Sequence, residues 1–271
     1  MSSASSMTPI LFAEIARRSV RRHFAYRAAA VAGLVTNVFF GLLRASVLLA
    51  LLGDRGSVDG LDAKALVTYT GLTQAMITYL SIFGWYDLMN TVSRGEVASD
   101  LLRPVSFLGF WLAQDVGRAV AGLVLRGATL MAIYALLFDI FVPTDLRAWA
   151  ALLLSLGLAL LVSFGFRFLV NLAAFWSPDA RGIGRFAFTL GMFLSGFLMP
   201  LRFFPEWLQT AAKFTPFPSM LNTPVEVYLG VLKGRDLTLA LLTQALWAAA
   251  LLLLARLVLS RATRKLVLQG G

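Results

Sequence analysis

The chain has 271 residues, of which 59% belong to the hydrophobic set and 14% are charged, with a mean hydropathy of +0.78. A soluble domain carries about a quarter charged residues, and a soluble fold of this composition would expose far more apolar area than monomers tolerate, so the chain reads as a membrane protein. The absence of cysteine and the single histidine, His23, exclude disulfides, thiolate chemistry, Cys-containing zinc sites and His-centred catalysis.

The start, Met1 to Thr8, is small and Ser-rich, and the first long apolar run begins near Ala28 after five arginines. That run is too long for a cleavable signal and continues into further protein, so it reads as a retained span. Before it, residues 8–27 predict a helix with Leu11, Phe12, Ile15, Ala16 and Val20 on one side and Glu14, Arg17, Arg18 and Arg21 on the other. Such a helix would lie at the membrane surface, its basic face among anionic headgroups. A basic flank that only sets topology is the alternative.

Runs long enough to cross about 30 Å of hydrocarbon as helix fall at residues 28–52, 63–86, 116–138, 148–176, 183–203 and 237–259. The expected fold is therefore an all-α polytopic membrane protein with six spans in one transmembrane domain, 1–271. Two connections, 87–115 and 204–236, are longer than joining requires. The net charge of +10 follows this topology. Fourteen Lys and Arg residues fall on the side that holds both termini, and seven on the other, which predicts cytoplasmic termini and makes nucleic acid the weaker explanation of the charge. Trp85, Trp111, Trp149, Trp176 and Trp207 sit near predicted span ends as an aromatic belt would, and Trp247 does not.

Arg44, Arg126 and Arg167 fall well inside spans one, three and four. Each costs roughly 2.5–3.5 kcal/mol at a helix centre, so each should face protein or water, as pathway lining or as a structural contact. The second span carries a polar stripe, Thr70, Gln74, Thr78 and Ser81, that suits interhelical contact or pathway lining. Asp87, Asp115 and Asp139 all lie at predicted span ends, and no acid falls in mid-span. The fifth span holds a small-residue ladder, Ala187, Gly191 and Ser195, where another helix can approach closely, within the chain or from a second copy. Phe193, Phe197 and Met192 beside it could line a passage or face lipid.

In the 87–115 connection, Ser93 and Glu96 have the spacing of a capping box, and Pro104 is placed to end the short helix that follows. Its acids, arginines, Leu101 and Leu102 suit docking to a soluble protein, or an interfacial segment without a partner. The 204–236 connection carries Pro205, Pro216, Pro218 and Pro224, so no continuous helix crosses it. Glu206 and Glu226 there would cap helix starts or contact cargo.

The stretch SRGEVASDLLRPVSF, residues 93–107, resembles the coupling-helix region of permease subunits in type-2 ATP-binding-cassette exporters, and residues 203–230, FFPEWLQTAAKFTPFPSMLNTPVEVYLG, resemble the outer segment of the same family. The similar branch pairs two permeases with a separate ATPase. The resemblance implies that Gly95, Glu96, Asp100, Leu101, Leu102, Arg103 and Pro104 pass ATPase motion to the membrane helices. It also implies short re-entrant helices at 204–236 and a permease contact along the fifth span at Ala187, Gly191 and Ser195. The chain has no G-x-x-x-x-G-K-[ST] phosphate loop, so no cofactor is expected in it. ATP and magnesium would belong to two copies of an ATPase subunit. The expected partners are that ATPase, a second permease (a paralogue or a copy) and the lipid of a bacterial-type cytoplasmic membrane. The expected cargo is amphipathic or hydrophobic, with Arg44, Gln74, Thr78, Arg126, Arg167, Phe193 and Phe197 as candidate pathway residues. A gradient-driven transporter or channel is the alternative, and a lipid-modifying enzyme a more distant one.

Overall fold

The computed structural model describes residues 7–25, 27–177 and 180–265. The Ser-rich start at residues 1–6 and the last six residues lie outside the described residues. The fold is almost entirely helical.

Thr8 opens α1 (Pro9–Ala25), its hydroxyl accepting from the Leu11 N–H at 3.4 Å. Helix α1 lies against α6 (Phe107–Gly122), where Gly117 leaves room for its backbone: a Cβ there would stand 2.2 Å from the Ala16 carbonyl oxygen. The Ser19 hydroxyl donates to Gln114 O across the same contact at 2.7 Å. Arg17, Arg18, Arg21 and Arg22 remain exposed, which keeps the basic face outward.

Helix α2 (Arg27–Leu52) leads to a two-residue hairpin, β1 (Ser57–Val58) and β2 (Leu61–Asp62), paired antiparallel through Asp59 and Gly60. Both turn residues have positive φ, 48° and 78°, the pair that a two-residue hairpin turn demands. The Asp62 carboxylate then caps α3 (Ala63–Leu80) by accepting from the Ala65 N–H at 2.8 Å.

Helix α3 is the axis of the bundle, packed among α2, α6, α7 (Thr129–Leu137) and α8 (Leu146–Leu172). Its Thr70, Thr73 and Gln74 are buried, so the polar stripe faces other helices. A π-helical turn, Leu123–Ala128, joins α6 to α7 without a break, making Phe107–Leu137 one helix of 31 residues. Helices α8 and α12 (Gly234–Ala262) pack along their length, with Gly165 against Leu251 and a buried knot in which the Ser155 hydroxyl donates to Gln244 Oε1 and Gln244 Nε2 donates to Ser219 O. Between them run α9 (Arg181–Leu194), α10 (Glu206–Lys213) and α11 (Asn222–Tyr228).

Among the described residues, four helices are long and apolar enough to cross a membrane: Val31–Leu52, Phe107–Leu137, Leu146–Phe175 and Gly234–Ala262. Three of these agree with sequence runs to within a few residues. The third starts at Phe107 rather than 116, because Ser106 caps it and the apolar stretch from Phe107 to Leu112 is its first turns.

The other two predicted spans are corrected. The run at 63–86 is helical only to Leu80, where Ser81 turns into the left-handed region at φ 51°; the run at 183–203 is helical only to Leu194, ahead of Gly196 at φ 83°. Hydropathy continues past both ends because Ile82, Trp85 and Phe197 are buried without being helical. At 1.5 Å per residue the 14 residues of α9 span about 21 Å, less than a full hydrocarbon thickness.

Trp85 and Trp111 are also corrected. Both are buried, edge to face with ring centres 5.5 Å apart, in the packing between α6 and α8. Trp149, Trp176 and Trp207 are exposed as a belt would have them.

Candidate functional site

The connection after α3 folds as two short helices, α4 (Asp87–Ser93) and α5 (Val97–Leu101), hinged at Gly95 with φ 75°. The capping box does not form: Ser93 is the last residue of α4 and donates its hydroxyl back to Met89 O at 3.0 Å, and Glu96 makes no side-chain cap. Glycine in the left-handed region between the two residues accounts for this. Pro104 follows the end of α5, as the sequence predicts.

The element has two faces. Leu88, Met89 and Val97 are buried, and Leu101, predicted to be exposed, packs partly against the same cluster. Arg94, Gly95, Glu96, Leu102, Arg103 and Pro104 are exposed, Leu102 at 85%. Asp100 is half-buried and holds Arg103 at 2.9 Å, and the Arg103 guanidinium lies over Phe110 on α6.

Beneath this element runs a buried polar network. Asp115, assigned by the sequence to a span end, lies inside α6 and is 3% exposed. It takes both ends of the Arg167 guanidinium at 2.9 and 2.7 Å, and Arg118 Nε at 2.8 Å. Arg118 also donates to the carbonyls of Thr78 and Tyr79, and Arg167 Nε to the Ser163 hydroxyl, which donates to Leu80 O at 2.8 Å. One turn further along α8, Asn171 donates to Trp85 O at 2.7 Å and accepts from the Met89 N–H at 2.9 Å. The end of α3, the turn after it and the first residues of α4 are thereby bonded to α6 and α8.

Arg167 is thus 1% exposed and bidentate with a carboxylate, the geometry of a structural ion pair. Arg126 sits in the π-helical turn and donates to the Thr78 hydroxyl at 3.3 Å, its guanidinium lying over Gly33 of α2 where a Cβ would be 2.5 Å away. Arg44 turns inward from α2, donating to the Thr73 hydroxyl at 3.1 Å and to Phe197 O, with its guanidinium 4.5 Å from the Phe197 ring centre. Gln74 is buried beside Thr73. Phe193, on the outer face of α9, stacks on Phe204.

The ladder on α9 is used within the chain. Gly191 faces Phe217, a Cβ there standing 3.1 Å from the ring, and Ser195 is buried, its carbonyl accepting from the Asn222 N–H at 3.0 Å. Ala187 is half-buried, and the exposed side of α9 carries Ile183, Phe186, Leu190 and Phe193 instead. At the end of the bundle opposite α4 and α5, Glu226 pairs with Arg202 at 2.8 Å rather than capping a helix start, and Arg202 also donates to Asp59 O of the hairpin at 2.6 Å. Glu206 occupies the first turn of α10, where an acid complements the helix dipole.

The sequence did not single out Asp115 with Arg118, or Asn171. Two signals for them exist: the D-x-x-R spacing of Asp115 and Arg118, and the polar residues Ser163, Arg167 and Asn171 recurring every fourth position through an otherwise apolar helix.

No curated protein matches the chain. The family model described as ABC-2 family transporter protein matches residues 40–270, taking in every helix but α1 and the first turns of α2. The chain therefore belongs to the ABC-2 family of transporters, whose permeases are the non-catalytic membrane components of transport systems and generally work with ATPase subunits.

Proposed function

We propose that the chain is one membrane half of an ATP-driven exporter, with both termini cytoplasmic in a bacterial-type inner membrane, and that α4 and α5 receive the motion of a separate ATPase. The observation that carries this reading is the two-faced α4–α5 element. Its outer face offers Arg94, Glu96, Leu102 and Arg103, while its inner face is bonded to α8 through Asn171 and packed around Leu88 and Val97. A push on such an element has a bonded route into two membrane helices, whereas a connecting loop would absorb it. Two ATPase copies, carrying ATP and magnesium, and a second permease, taken as a paralogue, complete the assembly. That second permease would meet α9 by its exposed side, Ile183, Phe186 and Leu190, since the small-residue ladder is already occupied. Residues 204–236 would form the outer cap, held by Arg202 and Glu226.

A gradient-driven carrier gains nothing from Asp115. Although it is membrane-embedded, both of its oxygens already accept from arginines, so it offers no open position for a proton or ion relay.

The test is purification of the tagged chain from membranes in mild detergent. A subunit with a phosphate loop and ATPase activity should co-purify, and Glu96→Lys with Arg103→Glu should lower its recovery at least severalfold without lowering the yield of the chain. Undiminished recovery and export in the charge-reversed chain would contradict the assignment of α4 and α5.

A further inference from the structure

Arg44 differs from Arg118, Arg167 and Arg202 in what it is offered. Arg118 and Arg167 share Asp115, and Arg202 has Glu226. Arg44 has only neutral partners, the Thr73 hydroxyl and the Phe197 carbonyl, and its Nε and Nη1 are buried with no hydrogen-bond partner. Among the described residues no carboxylate pairs with it.

A second orphan lies in the same seam. Gln74, 2% exposed, follows Thr73 on α3, and its Oε1 also lacks a partner. Gly41, one turn before Arg44, lets α2 approach this seam closely: a Cβ at that position would stand 2.4 Å from the Tyr134 hydroxyl and 3.1 Å from Gln74 Cγ. Unmade hydrogen bonds to buried charged groups are expensive, and here they are concentrated where α2, α3 and the residues after α9 meet.

Snorkelling does not explain the placement. Arg44 is eight residues from the end of α2, about 12 Å along the axis, yet its guanidinium is bonded sideways to α3 and Phe197. The residue is still half-buried rather than sealed, and its α2 neighbours Leu43 and Val47 are exposed. A molecule lying along the apolar face of α2 can bring a polar head to the guanidinium when a side-chain shift uncovers its buried Nε and Nη1.

We propose that the Arg44 guanidinium, oriented by the Thr73 hydroxyl beside Gln74, is the binding site for the oxyanion head (carboxylate, sulfate or phosphate) of an amphiphile whose tail lies along α2. The inference rests on the reading of this chain as a permease and narrows its cargo to anionic amphiphiles. An oxyanion supplies acceptors for Arg44 Nε and Nη1 and charge-assisted bonds in a weakly screening interior. A hydroxyl or bound water that accompanies it supplies the donor that Gln74 Oε1 lacks. The same chemistry can arrive on a transported molecule or on a phospholipid, and the experiment separates the two.

The full chain in phosphatidylcholine nanodiscs is titrated with dansyl-undecanoate and with its neutral counterpart, dansyl-undecanol. Saturable binding of the anion is expected, weakened about tenfold or more by Arg44→Gln, roughly 1.4 kcal/mol, and largely retained in Arg44→Lys. Binding of the neutral probe should not change. Equal affinity of Arg44→Gln and wild type for the anion, or no preference of the wild type for the anion, overturns the proposal. Should Arg44→Gln fail to fold, wild type alone decides: undecanoate must raise its unfolding temperature more than undecanol does, and equal shifts overturn the site. Displacement of the probe by phosphatidylglycerol in the disc supports a lipid-occupied site, and its retention a cargo site. No ATPase takes part, so an ATPase that fails to co-purify would overturn the exporter reading and leave this result standing.

Discussion

A guanidinium as fully buried as that of Arg167, 1% exposed, depends on its counter-charge, and it has one, Asp115. Removing it by Asp115→Ala leaves a buried charge unpaired, for which a cost of about 3–5 kcal/mol is expected. Replacing Asp115 and Arg167 together, Asp115→Leu with Arg167→Met, should cost clearly less than the single change, since it removes the fully buried pair and leaves only Arg118, which keeps the Thr78 and Tyr79 carbonyls, without a carboxylate. Unfolding in detergent measures both; a double variant as unstable as Asp115→Ala would show that the pair itself is worth more than its burial penalty. At the surface, hydrogen bonds from Arg17 and Arg18 hold the Glu14 carboxyl down at about 2. A depressed carboxyl contributes its stabilisation above the ordinary carboxylate range and loses it as pH falls through the folded value, so the Glu14 pairing should persist at pH 4 and be lost toward pH 2. A carbon-detected NMR titration of Glu14 with its midpoint near the ordinary glutamate value would contradict this. The arginines were legible as residues that must face protein, because charge inside an apolar run is visible in the sequence. The contacts of the network were not, since Asp115 meets Arg167 only through the packing of α6 on α8, and Asn171 meets Trp85 and Met89 only through the packing of α4 on α8.

Glycine positions decide more than apolar runs do about where elements begin, end and touch. Gly95 has φ 75° and nothing within 4 Å of a Cβ, whereas Gly117 has ordinary helical geometry and the Ala16 carbonyl 2.2 Å from a Cβ. Gly95→Ala should therefore cost about 1–2 kcal/mol through backbone alone and leave α1 in place. Gly117→Leu must displace α1 from α6. Protease accessibility of α1 reads the difference: increased cleavage in Gly117→Leu and unchanged cleavage in Gly95→Ala is expected, and equal protection in both would contradict the packing. Three spans, Val31–Leu52, Leu146–Phe175 and Gly234–Ala262, were legible because their hydropathy and their helices begin and end together. The ends of α3 and α9 were not, because Ser81 and Gly196 stop the helix while the chain goes on burying Ile82, Trp85 and Phe197. The π-helical turn that holds Arg126 leaves no compositional mark.

At the scale of the molecule, one end gathers α1, α4, α5 and the start of α9, where Arg181 donates to Asn90 Oδ1 at 3.0 Å. The other gathers the hairpin, α10 and α11, tied by Arg202 to Asp59 and by Lys64 to Asp139 at 2.7 Å. The asymmetry suits a machine driven from one end and opened at the other. Class and family were legible from composition and from two segments, 93–107 and 203–230, whereas the route between the ends needed coordinates, because it runs through side-chain contacts between helices distant in sequence. Asn171 hydrogen-bonds both Trp85 and Met89 and so ties the start of α4 to α8, which makes it the residue at which the proposed coupling is tested. The deciding measurement is ATP hydrolysis and export, side by side, in proteoliposomes holding the permease pair, its ATPase and either wild-type chain or Asn171→Leu. With assembly intact, Asn171→Leu is expected to keep most of the ATPase activity and to lose export at least tenfold, about 1.4 kcal/mol on the export barrier; export that keeps pace with hydrolysis in the variant would contradict the coupling through α4 and α8.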